Sequence, residues 1–268
     1  MKNLLIRSAS GLIYVFLIVF SLFISTALFW TVLLVLSFLC LVEFQKLIHH
    51  KSPLAFVALI LLFYGLFAHW EFPYRLYFLI LICAVNTLLA AWLLFSSKTT
   101  FTFFEKGALS LLYIVGSAYF IAVLAPSQIL MEVPDILIFF ILIWVNNSVA
   151  YLVGNLLGKN LLLSKISPKK TWEGFWGGAI FCILAAILMH LYIAQTKQPL
   201  WVFLSLAAIS VLLGTLGDLV QSRFKRIAGV KDSGRLMPGH GGFFDRMDSI
   251  LFSAPLLYAY LKLVEYVS

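Results

Sequence analysis

Long apolar runs separated by short polar breaks dominate this chain, and within the runs polar residues do not recur at every second position. Ile136 to Val145 reads ILIFFILIWV without interruption. A membrane-spanning barrel strand would alternate between lipid-facing and lumen-facing residues, so the pattern excludes a barrel. A helix rising about 1.5 Å per residue needs roughly 20 apolar residues to cross the hydrocarbon core. With charge, proline and glycine as boundaries, the pattern predicts spans near residues 10–25, 27–43, 53–70, 74–95, 107–125, 135–157, 174–194, 200–221 and 250–266. The expected fold class is therefore all-α, a polytopic integral membrane protein with about nine transmembrane helices. Residues 1–125 form an N-terminal transmembrane region of about five spans, and residues 126–268 form a C-terminal region that carries the chemistry. The first two spans are separated only by Ser21, Ser25 and Thr26. One continuous helix there would move Lys2 and Arg7 to the other side of the membrane.

Composition and charge sharpen this picture. Of the 268 residues, 63% are apolar and 11% are charged, against about a quarter charged in soluble domains, which excludes a soluble protein. With nine spans, all but Arg75, Lys197 and Lys262 of the 19 lysines and arginines fall on one side. The positive-inside rule makes that side cytoplasmic, with the N-terminus inside and the C-terminus outside. The net charge of +8 thus gives no reason to expect nucleic acid. Part of it sets topology, and part can attract anionic headgroups at about 1 kcal/mol per residue. Lys2 and Arg7 precede an apolar run, as in a signal peptide. The apolar character continues almost to Val42, which predicts a retained helical hairpin. Cys40, Cys83 and Cys182 lie singly in apolar runs without metal-site spacing and read as buried hydrophobes.

Two cytoplasmic loops are richer than topology requires: Gly158 to Gly178, and Gly217 to Ser249 with its run KDSGRLMPGHGGFFDRMD. Asp218 sits at the end of an apolar span, where an ionisable group needs a partner or a wet cavity. Ser222 and Lys225 follow on the same helix face. Asp245 and Asp248, three apart, project from neighbouring turns of one helix. They either cap that helix and pair with Arg246 or hold a hard cation such as Mg²⁺, which takes oxygen ligands. Gly239, Gly241 and Gly242 flank His240 in a turn whose backbone N–H groups can approach a phosphate. His240 offers an acid, a base or a hydrogen bond to an anion. Lys225, Arg226, Lys231 and Arg235 supply either phosphate counter-charges or a basic membrane-facing patch. No Walker loop is present, since the stretch Gly154 to Lys159 has the wrong spacing and no following Ser or Thr.

The run Ser222-Arg223-Phe224-Lys225-Arg226, then Lys231-Asp232-Ser233-Gly234, then Pro238 to Asp248 closely resembles the signature of the CDP-diacylglycerol synthase family, the phosphatidate cytidylyltransferases. Ser167 to Gly174 resembles that family's second motif, and Gly217-Asp218 matches the acid before the signature. The resemblance covers the C-terminal half. It implies a nucleotidyltransferase that converts CTP and phosphatidate to CDP-diacylglycerol and pyrophosphate, acting as a homodimer in a bacterial plasma membrane. It assigns Mg²⁺, with room for a second cation, to Asp218, Asp245 and Asp248. Lys225, Arg226 and Lys231 would offset charge on the leaving pyrophosphate. Ser167, Lys169, Lys170, Thr171, Ser222, His240, Gly241, Gly242 and Arg246 would bind substrate. Two positions depart from the family pattern. Met237 replaces another apolar residue, and Asn147 stands where the family usually has Asp. That asparagine keeps open a non-catalytic lipid-binding or transport relative, and the same charges would also serve a CTP-dependent lipid kinase.

Overall fold

In a computed structural model, residues 2–125, 134–193, 198–239 and 241–267 are described. Among them the chain folds into helices α1 (Lys2–Ile24), α2 (Thr26–Leu47), α3 (Leu54–Phe67) and α4 (Arg75–Phe95), then α5 (Phe103–Ala108) and α6 (Ser117–Val123). After these come α7 (Asp135–Leu157), α8 (Trp172–Tyr192), α9 (Leu200–Ile227) and α10 (Phe244–Val267). A π-helical stretch, Leu109–Gly116, joins α5 to α6 into one rod. Nine apolar helical stretches result, as the pattern predicts. Seven are long and apolar enough to cross a membrane, while Ala9–Ile24 and Leu54–Phe67 are shorter. The expected boundary at residue 126 opens the stretch 126–133, and Lys197 falls in 194–197; both stretches lie outside the described residues.

Ser25 decides whether the first two spans are one helix or two. Its backbone is extended, and its side chain accepts from the N–H of Leu28 at 3.0 Å. This N-cap satisfies a donor that a new helix would otherwise leave bare, so α1 and α2 form a hairpin. At the far end of the bundle the Trp30 ring meets Phe67 at 5.5 Å and His69 at 6.3 Å, so α3 runs antiparallel to α2. The third span stops at Phe67 rather than residue 70, with His69 in the left-handed region (φ 51°).

The last two helices extend further than hydropathy alone indicates. The eighth reaches Ile227 rather than 221, because Gln221, Ser222, Arg223 and Phe224 are buried against neighbours. Arg223 donates to the carbonyls of Trp92, Leu93, Ser96 and Lys98. It thereby caps the end of α4, whose last carbonyls have no partner within their own helix. Its guanidinium also lies 4.1 Å from the Trp92 ring centroid, a cation–π contact. Phe224 packs among Phe44, Trp92 and Phe101. The ninth helix begins at Phe244 rather than residue 250, because its charged first turn finds partners inside the protein. The six residues from Gly158 to Leu163 and the stretch after them are not a plain loop. β1 (Leu161–Leu163) pairs antiparallel with β2 (Ser167–Thr171), Leu161 facing Thr171 and Leu163 facing Ser167.

Helix α9 approaches α10 at Gly217. A Cβ there would lie 2.7 Å from the Cβ of Phe252 and 2.9 Å from the carbonyl oxygen of Asp248. Only a residue without a side chain permits that contact, and it brings Asp218 alongside Asp248. One continuous apolar core includes residues from both halves of the chain, from Tyr14 and Phe44 to Phe252 and Leu257. Large apolar side chains such as Phe16, Leu61, Tyr77 and Leu184 remain exposed, as a surface solvated by lipid tails requires.

Candidate active site

Several helix ends meet at one end of the bundle, and each meeting is made by a specific bond. Ser10 of α1 donates to the carbonyl of Pro238 at 2.9 Å. Lys106 of α5 reaches the carbonyl of His49, just beyond α2, at 3.4 Å. Arg226 at the end of α9 donates through Nε to the carbonyl of Ile166 in the hairpin at 3.1 Å. These ends, with the start of α8 and α10 and the close of α4 and α7, are the ones the nine-span pattern assigns to a common side.

The hairpin supplies Lys170. Thr171 follows it as the N-cap of α8, its hydroxyl accepting from the N–H of Gly174 at 3.1 Å. Glu173 accepts from the N–H groups of Lys159 and Asn160, and from the Asn160 amide at 2.7 Å. It closes the hairpin against the end of α7. Thr171 was expected to bind substrate; it is buried, and its hydroxyl oxygen already serves this cap. Ser167 is half-buried on β2, Lys169 is exposed, and Lys170 forms an ion pair with Asp218 at 2.6 Å. Both partners keep about a quarter of their side-chain surface open (26% and 28%), so an entering anion could compete for the lysine.

Asp245 and Asp248 share a helix but not an environment. Oδ1 of Asp245 accepts from Gln221 Nε2 at 2.8 Å and Lys225 Nζ at 2.7 Å. Its Oδ2 accepts from the N–H and hydroxyl of Ser233 at 2.8 and 3.0 Å, and from the N–H of Gly242 at 3.0 Å. Five donors fill a carboxylate that offers about four lone-pair sites. Asp248 is also buried, and among the described residues it has no ion-pair partner. The N–H of Ser249 donates to its Oδ1 at 2.5 Å. Asp218 lies near enough to repel it, while Lys225 and Lys170 attract it from further away. Among the described residues, no three histidine, cysteine, aspartate or glutamate side chains come together as a metal site. Of the three aspartates expected to hold a cation, Asp245 has its oxygens occupied by donors from α9 and from the turn before α10, while Asp248 lies beside Asp218.

Three more of the residues expected at the site have partners of their own. Ser222 donates to Asp218 Oδ1 at 3.3 Å. The N–H of Gly242, expected to face a phosphate, is taken by Asp245. Gly241 adopts φ +92° and lies so close to Asp245 that a Cβ would sit 2.9 Å from Oδ2. Its carbonyl accepts from the N–H of Met237 at 2.9 Å, closing the turn. His240 lies outside the described residues. Lys231, Arg226 and Arg246 are exposed at this end of the bundle.

Two residues escaped the sequence reading. Glu43 of α2 reaches into the signature turn, accepting from the Ser233 hydroxyl at 3.0 Å and the N–H of Phe244 at 2.9 Å. The acid alone in an apolar run was a signal that could have revealed it. Gln221 stands beside Asp245 without any local pattern to announce it. Asn147 donates to the Ser249 hydroxyl at 3.3 Å, which sets the departing position beside the Asp248 turn.

A chain with this arrangement can hold several anionic oxygens between two lysines and a pair of carboxylates. Residues 5–264 match the model of the cytidylyltransferase family. This chain belongs to that family. It is similar to the phosphatidate cytidylyltransferases of Staphylococcus aureus (strain COL), 50% identical over 122 residues, and Staphylococcus epidermidis (strain ATCC 12228 / FDA PCI 1200), 46% identical over 122 residues. Each of those matches covers 46% of this chain and 46% of the relative, so the chain spans about half the length of these curated relatives. The phosphatidate cytidylyltransferase of Staphylococcus haemolyticus (strain JCSC1435) is 42% identical over 164 residues, covering 60% of this chain and 61% of that protein.

Proposed function

We propose that this protein is a phosphatidate cytidylyltransferase, making CDP-diacylglycerol and pyrophosphate from CTP and phosphatidate. A phosphate oxygen of phosphatidate attacks the α-phosphorus of CTP. A new P–O bond forms, the bond to the β-phosphate oxygen breaks, and its electrons leave with pyrophosphate. The attacking phosphate is already ionised, so no strong base is required. Such transfers depend mainly on positioning and on neutralising charge.

The observation that carries this reading is Asp248, buried beside Asp218 without an ion-pair partner among the described residues. A buried, uncompensated charge costs several kcal/mol, so such a pair calls for a cation. Hard carboxylate oxygens on two adjacent helices suit Mg²⁺, which commonly takes one or two carboxylates and completes its shell with water and substrate phosphate. Asp218 and Asp248 would hold it, and when bound it would neutralise charge on the triphosphate and the attacking phosphate. Lys170 would exchange its bond to Asp218 for a phosphate oxygen. Lys225, held by Asp245, would face the leaving pyrophosphate with Arg226 and Lys231. Ser222, which donates to Asp218 Oδ1, would help to fix that carboxylate.

The excess of lysine and arginine at this end supports a cytoplasmic site, an inward N-terminus and an outward C-terminus in a bacterial plasma membrane. A homodimer is part of the same proposal. The test is to incubate purified protein in detergent with phosphatidate, Mg²⁺ and CTP. Pyrophosphate together with a nucleotide-linked lipid is the expected result. Release of CDP with a newly phosphorylated lipid would make it a kinase instead, and no turnover would make it a lipid-binding relative.

A further inference from the structure

Glu43 belongs to the N-terminal half, far in sequence from every residue assigned above to the reaction. It is 2% exposed. Its Oε2 accepts the Ser233 hydroxyl and the N–H of Phe244, the first residue of α10. Its Oε1 has no hydrogen-bond partner among the described residues. The carboxylate fills the space that side chains at Gly234 and Gly242 would occupy. A Cβ on Gly234 would overlap Oε1 and lie 2.6 Å from Cδ; one on Gly242 would overlap Oε2 and lie 2.7 Å from Cδ. The two glycines of the signature are thus matched to an acid on another helix.

Burying a carboxylate is an expensive way to fill space, because an apolar side chain of similar volume avoids the desolvation penalty. What an apolar residue could not do is hold Ser233. The single Ser233 hydroxyl hydrogen is shared between Glu43 Oε2 and Asp245 Oδ2, each 3.0 Å away, and Asp245 in turn holds Lys225 at 2.7 Å. Glu43, Ser233, Asp245 and Lys225 form an unbroken polar chain from the second helix to the reacting end of α9. Because the two carboxylates share one donor, a change at Glu43 reaches Asp245 and, through it, Lys225.

We propose that Glu43 is a positioning residue for the transfer reaction, acting through Ser233 and Asp245 to set Lys225 and the start of α10. This inference rests on the cytidylyltransferase reading, and its test has one arm that does not. Glu43→Ala is expected to lower kcat about 30-fold or more with the KM for CTP changed less than about threefold, because the acting groups are misplaced rather than removed. Glu43→Gln, whose amide oxygen can still accept from Phe244 and Ser233, is expected to stay within about fivefold of wild type. Hydrogen exchange measured on the intact chain should quicken at residues 231–244 in Glu43→Ala and remain unchanged in α7 and α8. Gly234→Ala should reproduce the Glu43→Ala defect in both readouts. Adding it to Glu43→Ala should cost nothing more, since the overlap has gone.

Wild-type kcat and exchange in Glu43→Ala would overturn the proposal. So would a Gln variant as impaired as the Ala variant, or exchange quickened throughout the bundle. If wild-type protein transfers no cytidylyl group, the proposed function fails. The exchange arm then still decides whether Glu43 orders the turn.

Discussion

The turn at the head of α10 and the α9–α10 contact one helical turn deeper contain the same chemical group in opposite conditions. In the turn, Asp245 is surrounded by five donors drawn from Gln221 and Lys225 of α9 and from residues 233 and 242. In the deeper contact, Asp248 faces another carboxylate, and among the described residues only the neighbouring Ser249 N–H is hydrogen-bonded to its side chain. The first carboxylate has its oxygens occupied by donors of the protein. The second is left in a state that a cation would relieve, which is what the proposed function uses. Two aspartates of one motif, three residues apart, are separated by what surrounds them.

The sharpest way to break this comparison is Asp248→Asn. The amide removes a charge that the proposed cation site would use, and activity should fall about 1,000-fold or more, while thermal unfolding should stay unchanged or rise, because the repulsion from Asp218 is also lost. A lowered unfolding temperature would mean that Asp248 is structural, like Asp245. Asp245→Asn should behave differently. It turns a five-donor acceptor into a group with its own hydrogens, so activity should fall about 100-fold together with a stability loss of about 1–3 kcal/mol. Denaturant unfolding beside a Mg²⁺ titration would separate the two: the Asp248 variant alone should lose any stabilisation by the metal.

Thr171 extends the comparison to the hairpin. If its duty is that of an N-cap, its change to Ala should cost about 1 kcal/mol of stability with kcat per folded molecule nearly intact. A large rise in KM without destabilisation would return it to the binding surface. The smallest effect is expected at Asn147. Its amide touches Ser249, not Asp248 itself, and an aspartate could accept the serine hydroxyl instead. Asn147→Asp should keep activity within about threefold, since a hydrogen bond is reversed rather than removed. A severe loss would show that the site depends on a neutral neighbour there.

Much of the architecture was legible from local pattern. Hydropathy runs located nine helical stretches because an apolar stretch in lipid must satisfy its backbone within itself. The charge asymmetry grouped the helix ends that the bonds of Ser10, Lys106 and Arg226 bring together. The signature pointed to the right region, yet not to the division of labour inside it. Arg223 and Phe224 belong to the same run as Lys225. One caps α4 and the other packs in an aromatic cluster, and neither duty leaves a trace in spacing. The hairpin Leu161–Thr171 was missed because its strands are only three and five residues long, too short for a period-two pattern to register.

From the order of residues alone came the membrane-spanning helical class, the segment count, the charged end and the aspartates, lysines and glycines gathered near it. These follow from transfer energies and helical spacing, which act over a few turns. Only the tertiary structure decided which carboxylate is saturated and which is left facing its like, and that Glu43 closes the turn from the opposite half of the chain. The partners and close contacts concerned come from α2, α9 and the turn before α10, brought together by packing across as many as 201 positions of sequence. A charge in a bilayer protein takes its role from such neighbours because, away from water, they supply its solvation.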